Sequence, residues 1–209
     1  IDETKKIINE KKQFLLKLAN QIHKKRLNII PKLEKKLKSI VLKMGMKNSN
    51  FKLKLEENED LTIDGKHKLD FLFSSNLGSK YSNIKRVASG GELSRIILAL
   101  KSLLSKYHRL PTIIFDEIDS GVSGIIANEI GILMKEMAKS MQVLTITHIP
   151  QVAAKGTNQF KVYKTTNGKT TETYLKQLND RERVDEIGLM LSGNQITTTA
   201  LNHARELLD

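Results

Sequence analysis

The first 47 residues carry apolar side chains at helical spacing, with one proline and no glycine before Gly45. The apolar positions recur mainly at steps of three and four residues: Ile8, Leu15, Leu18, Ile22, Ile30, Leu33, Leu37, Ile40 and Met44. This period predicts one long helix close to a coiled-coil seam, which Pro31 is expected to kink or break because proline removes a backbone hydrogen bond. A helix this basic buries little surface by itself, so we expect an antiparallel partner helix, as in a coiled-coil arm.

Residues 51–73 switch to a period of two, which predicts β-strands. Apolar side chains alternate with polar ones in two runs separated by a turn at Asp64-Gly65, namely Phe51, Leu53 and Leu55 and then Leu69, Phe71 and Phe73. We expect two or three antiparallel strands here, followed by a polar loop that leads to Ser89.

From Ser89 onward, apolar strands alternate with helical segments. A helix from about Glu92 precedes the strand Ile113-Ile114-Phe115, and a helix over about 123–139 precedes a second strand from Val143 to Thr147. Strands that are apolar throughout predict a parallel sheet covered on both faces by helices, so the fold class is α/β. A hairpin turning at Asn167-Gly168 and two short helices, about 181–191 and 196–208, complete the pattern.

Length and composition bound the kind of protein. The 209 residues allow one large domain or one domain with an appendage, and the change of period divides them into a basic arm helix over 1–47 and a globular part over 48–209. Cysteine is absent, which excludes disulfides and thiolate metal sites and fits a reducing cytosol. No apolar run approaches about 18 residues, so no membrane span is expected. The chain begins with Ile rather than Met, so we interpret it as part of a longer protein.

The net charge of +12 is concentrated in the N-terminal segment. Residues 1–54 hold 16 Lys and Arg against 4 Asp and Glu, whereas residues 55–209 hold 19 of each sign. Such a block favours a polyanionic partner, of which nucleic acid is the obvious one. The alternative is a lysine-rich helix face that is only solvated, and the sequence leaves both interpretations open.

Two carboxylates follow the first apolar strand of the globular part. In open parallel sheets, functional groups collect at the carboxyl ends of the strands, and Asp116 and Glu117 lie there. An aspartate so placed can hold the water shell of Mg²⁺, and the neighbouring glutamate can accept a proton from an attacking water. The alternative is an acidic helix-entry turn, for which Asp119 and Ser120 would also be suitable caps.

Ser89-Gly90-Gly91 and His148 extend this pattern. The glycines let the backbone approach a ligand closely, and the helix that begins at about Glu92 presents free N–H groups suited to a phosphate. His148 ends the second strand, where it can donate a hydrogen bond to a terminal phosphate oxygen or to the attacking water. Taken separately, each has a structural alternative: Ser89 as a helix N-cap, and His148 as a histidine with only a structural role. Their order and spacing with the acidic strand end indicate a nucleotide site.

The loop that would cradle the phosphates of such a nucleotide is absent from the sequence. No G-x-x-x-x-G-K-[ST] run occurs in the 209 residues, and Gly65-Lys66 lacks the earlier glycine, the following hydroxyl and the strand–loop–helix setting. The chain therefore carries groups that complete a nucleotide site without those that begin one.

Three motifs carry a resemblance to a known family. ASGGELSR (88–95), IIFDEIDSGVSG (113–124) and ITHIPQVAAKG (146–156) resemble the signature, the Walker B strand with its D-loop, and the His switch of the ABC-type ATPase heads in SMC-like chromosome and repair proteins. Within that group the chain is most similar to bacterial DNA double-strand-break repair members, over nearly its whole length. The resemblance implies the C-terminal half of an ABC-type ATPase head, a parallel sheet flanked by helices with antiparallel strands, preceded by a long coiled-coil helix.

The resemblance also implies a role for each candidate residue. In the signature, Ser89, Gly90, Gly91 and Glu92 would bind ATP held by the opposite head of a dimer. Asp116 would support Mg²⁺, Glu117 would be the general base, and His148 would sense the γ-phosphate. Asp119 and Ser120 would form the D-loop that crosses the dimer interface. Phosphoryl transfer would then rest on positioning and charge neutralisation.

Partners and an activity follow from the same resemblance. The implied partners are ATP with Mg²⁺, DNA with double-strand breaks or ends, a second head in a homodimer, and the N-terminal half of the same protein, which would carry the phosphate loop. The implied function is ATP hydrolysis in DNA repair and recombination, in the cytoplasm and at the nucleoid, with ATP-dependent head dimerisation coupled to DNA engagement. The fragment alone is expected to be inactive. Two alternatives are a non-catalytic basic DNA-binding or dimerisation module and the head of another SMC-like protein, against which the Pro-Gln-Val-Ala run after His148 argues.

Overall fold

A computed structural model describes residues 2–84, 89–105, 107, 110–122, 124–168, 170–193 and 195–209. In chain order the elements are α1 (Asp2–Lys43), β1 (Asn50–Thr62), β2 (Gly65–Ser74), β3 (Ser82–Asn83), α2 (Gly90–Leu104), β4 (Thr112–Asp116), α3 (Gly124–Met137), β5 (Gln142–Ile146), α4 (Pro150–Ala153), β6 (Phe160–Thr166), β7 (Thr171–Gln177), α5 (Asp180–Ser192) and α6 (Thr198–Leu208). The structure contains the predicted combination of a long N-terminal helix, a parallel strand pair and antiparallel strands. Of the quoted motifs, Ala88 and Ser123 lie outside the described residues.

The chain divides into two compact units, residues 1–99 and 100–209, and α2 runs from the first into the second. The boundary predicted at residue 47 marks the end of an arm helix and not a division between compact units, so it stays a prediction. In the structure that helix, α1, ends at Lys43.

α1 is one helix of 42 residues that continues through Pro31. Of the kink or break expected at this proline, the break does not occur and the kink stays a prediction. Contacts on both sides of the proline hold α1 against the β1–β2 hairpin. Before the proline, the Arg26 guanidinium donates to the carbonyl oxygen of His67 at 3.4 Å. After it, Glu34 accepts a hydrogen bond from the backbone N–H of Leu53 at 2.7 Å.

The antiparallel hairpin forms as the alternating pattern predicts. Phe51 lies opposite Phe73 in the β1–β2 register, and β3 adds to the free edge of β2. Gly65 closes the turn with a φ of 99°, a backbone conformation that residues with a Cβ rarely adopt. The two phenylalanines are buried, as are Leu37 and Val41 on the C-terminal part of α1, so the hairpin and this part of the helix share one core.

The second unit contains the parallel pair. β4 and β5 run side by side with Ile114 opposite Leu144, and Phe115 is buried. The sequence predicts cover on both faces, but Ile114 is 63% exposed, Leu144 44% and Ile146 56%. Within the part of the chain that the structure describes, one face of the pair is therefore uncovered, and its apolar side chains are exposed.

The rest of the second unit is the predicted hairpin and helix pair. β6 and β7 pair with Phe160 opposite Gln177. A capping box at Asn179 and Glu182 starts α5, and Ile187 packs in a core with Ala154 and Ala204. Among the described residues, none of the helices combines the length and apolar character needed to cross a membrane.

Candidate active site

Two loops leave the same edge of the parallel pair, and they carry the acidic and histidine candidates. Asp116, the last residue of β4, lies opposite Ile146, the last residue of β5. The next residues are Glu117 after β4, and Thr147 and His148 after β5. The side chains of Asp116, Glu117 and His148 are all exposed. The structure thus brings these three predicted residues to one edge, because parallel strands end on the same side.

Glu117 has an unusual backbone. Its φ is +46°, in the left-handed region, where a residue with a Cβ is disfavoured by about 1–2 kcal/mol. Its N–H donates to the carbonyl of Ile146 at 3.0 Å, and its own carbonyl accepts from the N–H of Ser120 at 3.1 Å. These two hydrogen bonds hold the backbone of the strained turn at the end of the strand.

Asp119 lies beneath this turn. Its side chain is fully buried, and Oδ2 accepts a hydrogen bond from the hydroxyl of Thr147 in the other loop. Thr147 Oγ1 in turn accepts from the backbone N–H of Ile149 at 2.9 Å. Within the described residues, Asp119 Oδ1 has no hydrogen-bond partner. Ser120, the other predicted D-loop residue, is exposed, so only Ser120 presents its side chain to an outside partner here.

The signature segment starts α2, in the first compact unit. Ser89 and Glu92 form a reciprocal cap: the N–H and the hydroxyl of Ser89 each donate to Glu92 Oε2 at 2.9 Å, and the N–H of Glu92 donates to Ser89 Oγ at 3.3 Å. The helix therefore begins at Gly90, two residues before the predicted start. Burial lowers the pKa of the Arg95 guanidinium one turn on, and Glu92 opposes that shift.

Gly90 is a glycine that neither backbone nor packing demands. Its φ is not positive, and a Cβ added there would meet nothing within 4 Å. The N–H groups of Gly90 and Gly91 have no intrahelical acceptor by position, whereas that of Glu92 is bound by Ser89 Oγ. The local geometry is compatible with an anion that comes close to the backbone.

The residues at the strand ends fit a magnesium–phosphate ligand better than a metal held by protein alone. In the described part of the chain, no cluster of three or more His, Asp or Glu side chains could hold a metal ion. Mg²⁺ in phosphoryl-transfer sites is typically bound by one or two carboxylates together with substrate phosphates and waters. The exposed carboxylate of Asp116 meets that requirement as a single ligand.

Thr147 is the residue of this site that the sequence did not single out. Its hydroxyl bonds across 28 residues to Asp119, so the contact depends on strand register and on the turn at Glu117. A threonine directly before His148 was the available signal, but threonine is also a common strand residue.

Similar proteins were found by sequence. No protein-family model matches the chain. The DNA repair protein RecN of Rickettsia typhi is 42% identical over 192 residues, which is 92% of this chain and 35% of that protein. RecN of Haemophilus influenzae is 41% identical over 170 residues, 81% of this chain and 30% of that protein. RecN of Bacillus subtilis is 36% identical over 209 residues, 95% of this chain and 34% of that protein.

Similar folds were found among solved structures. The Smc head domain with a coiled coil and joint from Pyrococcus yayanosii aligns with a TM-score of 0.61 at 19% identity, over 89% of this chain and 35% of that one. A structure from work on ATP-driven dimerisation and DNA-stimulated activation of SMC ATPases aligns with a TM-score of 0.51 at 18% identity, over 81% and 96%. These two show the fold, that of SMC ATPase heads. The chain spans about a third of the length of the curated relatives it matches, consistent with a C-terminal portion, and it belongs to the RecN family of DNA repair proteins.

Proposed function

We propose that this chain is the C-terminal part of a RecN-like DNA repair ATPase that acts in the cytoplasm at the nucleoid. The observation that carries the proposal is the shared edge of β4 and β5, where the strands end in the same direction and Asp116, Glu117 and His148 are all exposed. In a chain of the RecN family, that arrangement suits hydrolysis of a nucleoside triphosphate.

The residues at this edge divide the chemistry among them. Glu117, held by the hydrogen bonds to Ile146 and Ser120, accepts a proton from the attacking water. His148 donates a hydrogen bond to the terminal phosphate, where negative charge develops. Asp116 would hold Mg²⁺, and the ion would supply neutralisation of the charge on the phosphates.

The signature residues serve a second head in this proposal. Ser89, Gly90, Gly91 and Glu92 start α2 with an open approach at Gly90, which supports contact with ATP on the opposite head of a homodimer. Ser120 is exposed for a contact across the same interface, whereas Asp119 is buried and acts within its own loop. Hydrolysis would separate the heads and so couple nucleotide state to DNA engagement.

The N-terminal part of the same protein supplies what the chain lacks. The uncovered face of the parallel pair, Ile114, Leu144 and Ile146, is apolar and would be stabilised by cover. A partner segment that packs there also stands beside the strand ends, where the phosphate loop is needed. Without it we expect residues 1–209 to be inactive.

A partner helix for α1 belongs to the same proposal. Apolar side chains along its N-terminal part are exposed, with Ile8 at 60% and Leu15 at 50%. Farther along, a groove of about 470 Å³ opens between α1 and the hairpin, with Ile29, Leu33 and Leu69 among the residues that line it. An antiparallel helix would cover the exposed apolar side chains along α1, as in a coiled-coil arm.

The test of the active site is ATP hydrolysis by the full-length protein that contains this chain, with Glu117→Gln. We expect the rate at saturating ATP to fall by about a hundredfold or more, with ATP binding retained, because the amide cannot accept the proton. Glu206→Gln is the matched control, since Glu206 is an exposed glutamate of the same unit on α6. Turnover at the wild-type rate in Glu117→Gln would remove the assigned base.

A second candidate function is a basic DNA-binding module in which α1 does the work, and the charge distribution favours it. Lys17, Lys24 and Lys35 are exposed and spaced by 7 and 11 residues, which places them on one face of the helix. Such a row can follow a phosphate backbone.

DNA titration separates the two functions. The triple substitution Lys17, Lys24 and Lys35 to Gln should weaken duplex binding by about tenfold or more at moderate salt and reduce the salt slope by about 3. Lys101, Lys135 and Lys164 to Gln, which are exposed lysines in the second unit, make the same change in charge elsewhere. If Glu117→Gln keeps full turnover and only the α1 variant loses function, the module is the better description.

A further inference from the structure

Glu117 and His148, the two exposed candidates on the loops, are each followed directly by buried residues, which we call anchors. Ile118 and Asp119 are buried directly after Glu117, and Ile149 is buried directly after His148. A side chain on a loop is held in direction by the backbone on either side of it. The position of Glu117 relative to His148 therefore depends on what ties these two anchors together.

The tie is one hydroxyl group. Thr147 Oγ1 donates its only hydrogen to Asp119 Oδ2, and it accepts the N–H of Ile149 at 2.9 Å. One atom thus joins the loop after β4 to the loop after β5. His148 lies between the two residues of the second loop that meet at this atom.

The backbone supports the same contact from the other side. Glu117 adopts φ +46° and bonds to Ile146, which turns the following residues inward and lets Asp119 reach Thr147. The N–H of Val122 donates to the Asp119 carbonyl at 3.3 Å, which closes the loop. A carboxylate fully removed from solvent needs its hydrogen bonds, so loss of the hydroxyl would destabilise the buried turn as well as the link.

From this geometry we propose that Thr147 is a positioning residue: its hydroxyl, through Asp119 and Ile149, fixes Glu117 relative to His148 for hydrolysis. The inference rests on the proposed function for its catalytic consequence. Thr147 and Asp119 touch neither nucleotide nor water in this role. They act through the two exposed side chains, and small displacements of such groups are costly to a reaction.

The experiment compares three variants in the full-length protein. Thr147→Val keeps the branched shape and removes the hydroxyl, Thr147→Ser keeps the hydroxyl, and Thr145→Val is the matched control. Thr145 lies two residues earlier in β5, and its hydroxyl faces Met134 Sδ at 3.5 Å rather than the loops. Steady-state ATP hydrolysis gives kcat and KM, and hydrogen–deuterium exchange reports on residues 117–122 and 147–149.

The expected result is a split between rate and affinity. Thr147→Val should lower kcat by about ten- to a hundredfold with KM within about threefold, and exchange in both loops should rise. Thr147→Ser should stay within about threefold of wild type, and Thr145→Val should match wild type in both measurements. If Thr147→Val does not fold, Thr147→Ala replaces it, because alanine places no methyl group against the Asp119 carboxylate.

Three outcomes overturn the proposal: an unchanged kcat in the folded hydroxyl-free variant, equal impairment in Thr147→Ser, or unchanged exchange in both loops. If the wild-type protein hydrolyses no ATP, the proposed function fails instead. The exchange comparison then decides the link between the loops by itself, since faster exchange only in the hydroxyl-free variant supports it.

Discussion

The surface of α1 and the loops after β4 and β5 both present polar side chains to solvent, but they hold them differently. Along α1, lysines such as Lys24 and Lys35 are placed by helical spacing, and each is one of many. At the strand ends, Glu117 and His148 are each the only residue of their kind, and the hydrogen bonds of Thr147 with Asp119 and Ile149 hold the two loops that carry them. For function, we therefore expect the loss of single exposed lysines on α1 to have small and cumulative effects, and the loss of single side chains at the loops to have large ones.

The largest effect on stability should come from the few residues that fasten α1. Leu37 is fully buried and Leu15 is 50% exposed, although both belong to the same apolar series. Leu37→Ala should destabilise residues 1–209 by about 2–5 kcal/mol, and Leu15→Ala by less than about 1 kcal/mol. Urea denaturation measures both. Equal losses would mean that the exposed part of α1 is packed in solution. A cost of Leu15→Ala that appears only in the full-length protein would reveal the partner helix.

The next effect concerns the loops. Asp119→Ala removes the acceptor of the Thr147 hydroxyl and should destabilise the second unit by about 1–3 kcal/mol. Asp185→Ala, at an exposed position of α5, provides the control and should change stability by less than about 0.5 kcal/mol. Thermal denaturation of residues 1–209 is the measurement. Similar midpoints for the two variants would show that the buried contact contributes nothing to folding.

A smaller effect tests the backbone of Glu117. Glu117→Gly and Glu117→Ala both remove the carboxylate, but only alanine keeps a Cβ at φ +46°. The glycine variant should be more stable than the alanine variant by about 0.5–1 kcal/mol, after the greater freedom of glycine in the unfolded chain is deducted. A comparison of urea midpoints decides this, and a more stable alanine variant would exclude a strained turn.

The smallest effect is a pH dependence in the first unit. The rings of His67 on β2 and His23 on α1 stack with centroids 3.7 Å apart. Burial, with help from the charges of His23, Lys66 and Arg26 and against that of Glu57, lowers the pKa of His67 below its ordinary 6.5. The folded state then binds fewer protons than the unfolded state, so stability is present at pH 7.5 and falls as the pH drops below about 6.5.

We expect this contribution to lower the melting temperature by about 2 °C or less between pH 7.5 and pH 5. His67→Asn should remove that part of the pH dependence. His203→Asn, at an exposed position of α6, should leave it intact. An unchanged pH dependence in His67→Asn would assign it to other groups.

Much of the fold was predictable because local spacing decides it. The seven-residue recurrence of Ile8, Leu15 and Ile22 predicts α1, and the alternation around Phe51 and Phe73 predicts the hairpin. The break that was one of the two outcomes expected at Pro31 does not occur, because tertiary contacts with the hairpin outweigh the loss of one backbone bond. It also missed the uncovered face of β4 and β5, because an apolar strand predicts that cover is needed and not which residues provide it.

At the candidate site, the sequence predicted which residues meet but not how they are held. Strand ends give Asp116, Glu117 and His148, and these lie at one edge. The hydrogen bond between Thr147 and Asp119 joins positions 28 residues apart, and it requires a left-handed Glu117 that no local preference predicts. The Ser89–Glu92 cap was readable in principle, since a serine followed three residues later by glutamate is a local signal.

The passage of α1 through Pro31 gives the helix a mechanical character. At about 1.5 Å per residue, its 42 residues make a rod of roughly 63 Å. Proline offers no N–H to the carbonyl of Leu27 four residues earlier, and its ring crowds that carbonyl. The turn from Leu27 to Pro31 is thus the compliant point of the rod, set between the grips on the hairpin at Arg26 and Glu34. A bending load on the part of α1 before this turn would be absorbed at the turn before it reached the strands.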